Sequence, residues 1–122
     1  MRYVVFVALM ALSVTVPVFA CVQFGADQRA VERVQSSWAP AEQAMQAGEY
    51  AKALKELRAT SALLPAIRKP FTRNCVAGGA NNRIASAIAG QSFLVRHPND
   101  HGGAKAAADR AWRSFPMSHN CP

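Results

Sequence analysis

The sequence predicts an all-α fold, a small bundle of antiparallel helical hairpins, on three observations. Past residue 20, apolar residues recur at spacings of three and four, the period of a helix with one buried face. Nowhere in that stretch do apolar and polar residues alternate over the length of a strand. Turn formers gather at Gly48 and around Pro98, so those connections are short and join antiparallel neighbours.

The elements follow in order. From Ala26 to Trp38, Val31, Val34 and Trp38 mark one face, with Asp27, Arg29, Glu32 and Arg33 on the other. Pro40 either starts a new helix in its first turn or kinks the old one, because it has no amide proton to donate. After Gly48, Tyr50, Ala53, Leu54 and Leu57 form the buried stripe of a helix from about Glu49 to Leu64, stopped by Pro65 and Pro70. Arg68 to Arg83, with Pro70, Gly78, Gly79 and Asn81-Asn82, reads as a connection. A helix from about Asn82 to Arg96 carries Ile84, Ile88 and Val95 on one side, widened by Phe93 and Leu94. His97-Pro98-Asn99-Asp100 stops it, and Asp100 is a fair N-cap for a last helix striped by Ala104, Ala108, Ala111 and Phe115 and broadened by Trp112.

The first twenty residues stand apart. Arg2 supplies a cationic start, Tyr3 to Val16 is almost wholly apolar, and Val18-Phe19-Ala20 puts small residues where a signal peptidase cuts. Ser13, Thr15 and Pro17 leave the run short of the roughly 20 apolar residues of a membrane span. The expectation is a signal peptide at 1–20 and one helical domain at 21–122, exported to the periplasm, anchored facing it, or secreted. A cut before Cys21 resembles the bacterial lipoprotein signal, which would lipidate that thiol; Phe19 and the Val22-Gln23-Phe24 start depart from its pattern. Three cysteines in an oxidising compartment leave one over, and lipidation of Cys21 would leave Cys75 and Cys121 to bridge. That bridge would close a loop of about 45 residues, worth roughly 3 to 4 kcal/mol in the chain-entropy model. Pairings through Cys21 are the alternatives.

Ala41-Glu42-Gln43-Ala44-Met45-Gln46-Ala47-Gly48-Glu49-Tyr50-Ala51-Lys52-Ala53-Leu54 resembles a tetratricopeptide repeat, a helix-turn-helix with small residues at the helix crossing and a glycine at the turn. Leu57 takes the large apolar position and Pro65 the terminal proline, over about Val34 to Ile67, while Pro40 and Ala44 depart from the pattern. The resemblance implies a protein-binding scaffold rather than an enzyme, with Gln35, Trp38, Glu42 and Met45 on the concave face and Trp38 as an anchor for a partner. The ending, His97-Pro98, an alanine-rich helix and Phe115-Pro116 before the last cysteine, loosely resembles small disulfide-bonded periplasmic immunity proteins. It implies the alternative, an exported inhibitor that blocks a cell-envelope enzyme.

Charge is lopsided. The whole chain is +7; residues 21 to 57 hold four bases against five acids, and residues 58 to 122 nine bases against Asp100 and Asp109 alone. Such a field favours anionic partners. Arg68, Lys69, Arg73 and Arg83 frame two glycines and two asparagines in this connection, and their backbone amides are expected to cup an anion. His97, His101 and His119 offer imidazoles, but Pro98 breaks the helix that would align the first two, so no metal is expected. Cys75 lies among bases that favour a thiolate, yet export makes a disulfide the stronger expectation. The chain is therefore expected to need no cofactor, to do no catalysis, and to bind another protein of the envelope. An anionic surface is a further candidate partner; nucleic acid is not expected, and membrane only through a lipid on Cys21.

Overall fold

Five α-helices account for most of residues 22–114, the part of the chain that the computed structural model describes. They are α1 (Gln28–Ser37), α2 (Ala39–Gln46), α3 (Tyr50–Thr60), α4 (Pro70–Arg96) and α5 (His101–Ser114), with short 3-10 turns at Val22–Asp27 and Ser61–Ala66. No strand occurs among the described residues. The fold is all-α.

Between α1 and α2 only Trp38 intervenes, and it keeps helical dihedrals (φ −75°, ψ −20°). Pro40 falls in the first turn of α2, where its missing N–H would have had no helical partner. The two therefore act as one bent rod, and the molecule reduces to four rods in two hairpins. Gly48 (φ +78°) turns the first hairpin in the left-handed region, where a side chain would be strained. The Glu49 N–H reaches back to the Ala44 carbonyl (2.8 Å) and seals that turn. The second turn is sealed by Asp100, whose Oδ1 accepts the Gly103 N–H (2.8 Å), as an N-cap should.

One sequence expectation is overturned. Residues 70 to 83 are the first half of α4, not a connection, and the true link is the short stretch from Ser61 to Lys69. Pro70 occupies the first turn of α4, a start signal rather than a stop. Gly78, Gly79 and Asn81-Asn82 each favour a turn locally. Burial outweighs that preference, because α4 is the central rod, packed on α3 along one side and on α5 along another. Val76, Ala80 and Ala87 join Val31, Val34, Trp38, Leu54, Leu57 and Ile67 in the main core. Tyr50, Ala104 and Ala108 form a second cluster with Phe93 and Leu94 packed on it.

The buried face of α4 also differs from the one its large residues mark. Ile88 and Val95 are 42% and 75% exposed, while Ser86, Ala87 and Gly90 are buried. Close approach explains the inversion. A Cβ on Gly90 would stand 2.5 Å from Tyr50 Cε1, so the Tyr50 ring lies directly on the α4 backbone. Small residues permit that packing, and large ones on the same face would forbid it.

Gly90→Ala should therefore lower stability by about 1 to 3 kcal/mol through overpacking, against the gain in helix propensity. Gly78, where an added Cβ meets nothing within 4 Å, is the matched control: Gly78→Ala should raise stability by up to about 1 kcal/mol. Urea unfolding of the two variants checks both signs.

Candidate functional site

A groove runs between α2 and α5. Its walls are Glu42, Met45 and Gln46 on α2 and Lys105, Asp109 and Trp112 on α5; Tyr50 of α3 and Arg83 and Ser86 of α4 form the floor. The cavity there measures about 320 Å³, within the usual range for small binding sites. It continues toward Gly48, His101 and Gly102 through a second hollow of about 330 Å³ that shares Met45, Gln46, Tyr50 and Lys105. From His101 to Trp112 the α5 wall is about 16 Å long at a helix's rise per residue.

The groove owes its shape to Arg83. The guanidinium lies 4.0 Å from the Trp38 ring centroid and 4.9 Å from that of Trp112, so it is stacked between the two. Its Nε donates to Glu42 Oε1 at 2.8 Å and its Nη1 to the Gly79 carbonyl at 3.0 Å. With the Arg83 side chain only 15% exposed, both the ion pair and the ring stacking are stronger than they would be in open water. Ser86 adds a second tie, its hydroxyl donating to the Ala108 carbonyl (2.9 Å). Tyr50 closes the floor; its burial first, and the charge of Asp109 second, push its hydroxyl above the ordinary value, so it stays protonated.

The four partner-binding residues expected from the sequence separate. Glu42 and Met45 line the groove. Trp38 is 6% exposed and sits beneath it, with its ring against Gly79 and Arg83, so it supports the wall rather than presenting itself to a partner. Gln35 is exposed on α1 and is not among the groove residues. Sequence reasoning missed Lys105, Asp109 and Trp112. Their spacing of four and three puts them on one face of α5, a stripe beside the alanines in which Lys105 and Asp109 are exposed and Trp112 meets Arg83.

The expected anion cradle does not form. The amides of Gly78, Gly79, Asn81 and Asn82 lie inside α4, where the helix uses them. Arg83 is held by Glu42, about 15 Å along the helix from Arg73. Arg68 and Lys69 precede the helix, and their backbone N–H groups donate to the two carboxylate oxygens of Asp27 at 2.8 and 3.0 Å. Those bonds hold the Asp27 carboxyl below its ordinary value, with the charges of Lys69 and Arg68 adding to the effect.

Cys75 is half-buried on α4 and is engaged with another group; Cys21, Cys121 and His119 lie outside the described residues. His97 rests against the Phe93 ring (4.8 Å between centroids), and His101 lies at the Gly48 end of the groove. Among the described residues no three His, Cys, Asp or Glu side chains gather as metal ligands. No helix among them is long and apolar enough to cross a membrane.

Comparison with known proteins finds no matching family model, and no significantly similar curated protein or solved structure.

The Asp27 contact carries a pH signature. Because its folded pKa lies below the ordinary 3.8, its stabilisation is complete above that value and is lost as pH falls through the folded one. Asp27→Asn should lower the urea midpoint at neutral pH, and the gap from wild type should close on acidification. A gap independent of pH would mean that the carboxylate charge contributes nothing.

Proposed function

We propose that the protein is a small binding or adaptor domain of the cell envelope, reading a peptide or a protein segment in the groove between α2 and α5. The single observation behind this is the groove itself: a concave, open-ended channel with one wall on the first helix of a tetratricopeptide-like hairpin. Trp112, Met45 and Tyr50 offer apolar contact, and Glu42, Lys105 and Asp109 offer points of orientation. The hairpin follows the repeat's rules at Ala41, Gly48, Tyr50, Ala53 and Leu57, all buried except the turn glycine. The groove is read as a scaffold rather than a catalytic centre.

The leader and the cysteines complete the proposal. The first twenty residues address the chain for export, and Cys21 is the residue a lipoprotein pathway would modify. Cys75 and Cys121 are the two cysteines left to bridge when Cys21 is lipidated. Arg83 faces Trp112 and Ser86 faces Ala108, so α5 runs antiparallel to α4 with its end toward Cys75. Cys75 lies about 12 Å along α4 from Arg83, and a chain of seven residues, the number from Phe115 to Cys121, has a reach of about 23 Å.

Peptides selected from a random library against the full chain test the groove. Gln46→Trp, which fills the channel from an exposed position, should weaken their binding at least about tenfold. Ala59→Arg, exposed on the outer side of α3, should leave it unchanged. Peptides that bind both variants alike would place recognition elsewhere and defeat the proposal.

A further inference from the structure

A second surface lies at the far end of the molecule, where the link from Ser61–Ala66 enters α4. Of the residues from Pro65 to Phe71 only Ile67 is buried, fully so; the rest are exposed. Phe71 is 63% exposed at the very start of α4. Arg68 and Lys69 flank it on one side and Arg73 on the other.

The tip is held rigidly. Ile67 plugs it into the main core, and the Asp27 carboxylate takes the backbone N–H groups of both Arg68 and Lys69. The backbone is extended at Ile67 and Lys69 (ψ 113° and 120°). Pinning the backbone from within leaves the two cationic side chains and Phe71 facing outward.

Charge decides what such a tip suits. No acidic residue occurs between Glu56 and Asp100, and Asp27, the acid at this end, is buried and spent on backbone amides. The neighbouring α1 contributes Arg29 and Arg33 against Glu32, leaving the area positive. An exposed aromatic with long cationic side chains close by in the chain matches an anionic bilayer surface: the ring enters the boundary of the acyl chains while the cations stay among the phosphates. We infer that the Pro65–Phe71 tip docks the protein on anionic membrane surfaces, through Phe71 insertion and the charges of Arg68, Lys69 and Arg73. This contact is separate from any lipid on Cys21 and from the groove, and it gives the chain a direct membrane contact that needs no lipid anchor.

Vesicle sedimentation of the full chain tests it, with equimolar phosphatidylglycerol and phosphatidylcholine against phosphatidylcholine alone. The apolar run at residues 3 to 16 is present in every variant, and binding to neutral vesicles measures its contribution. Binding to the anionic vesicles should be much the stronger and should weaken with salt. The double variant Arg68→Gln, Lys69→Gln should bind about 25-fold more weakly, and Phe71→Ser about tenfold. Both should keep the wild-type urea midpoint, and Gln46→Trp should bind vesicles as wild type does. Equal binding to neutral vesicles, or variants that bind as wild type does, would overturn the inference. So would a protein dimer that Phe71→Ser dissociates in the absence of vesicle binding, since the tip would then be a protein contact.

Discussion

Arg83 ties the two hairpins together at the edge of the core that they share. It projects from the middle of α4, pairs with Glu42 of α2, and lies between Trp38, at the α1–α2 bend, and Trp112, near the end of α5. A lysine could hold the charge but not the planar stack between two indoles. The backbone is shaped to the same end. A Cβ at Gly79 would come to 3.0 Å from Trp38 Cη2, a tight contact, so glycine one turn earlier gives the Trp38 ring and the guanidinium above it room. Local helix propensity is given up there so that a large aromatic can be buried against the central rod.

The functional surfaces follow from that arrangement. Joining α2 to α5 through a side chain rather than by direct helix contact holds them apart, and the space between them is the groove. Its floor is low because Ser86, Ala104 and Ala108 are small and Tyr50 lies flat on Gly90. At the other end of α4, a buried acid that spends its charge on backbone amides fixes a cationic, aromatic tip. The groove rests on close helix packing at Gly90, and the tip on hydrogen bonds to Asp27 and the burial of Ile67.

This division also explains what could be read from the sequence. The buried faces of α1, α2 and α3 were legible because Val31, Val34, Leu54 and Leu57 recur at helical spacing, and the turns at Gly48 and Asp100 use residues suited to them. The first half of α4 was not. Its glycines and asparagines signal a turn, and only their tertiary contacts show why a helix tolerates them. Asn82 is the extreme case: it is wholly buried, neither its amide nitrogen nor its oxygen has a hydrogen-bond partner, and the Trp38 Nε1 is equally unpaired. Such costs are borne only within a well-packed core. On the groove, Glu42 and Met45 were legible from the repeat-like pattern. The same pattern put Trp38 on the concave face, whereas it is buried beneath the groove, and Lys105, Asp109 and Trp112 were obscured by the alanine stripe beside them.

The most direct test of this account is the coupling between Arg83 and Trp38, which belong to different hairpins. A double-mutant cycle with Arg83→Met and Trp38→Leu, followed by urea unfolding at neutral pH, isolates that contact from the burial of either side chain alone. If Arg83 ties the hairpins by stacking, the two substitutions should be non-additive by about 1 kcal/mol or more. Strict additivity would show that the hairpins are held together without that stack, and would contradict the account.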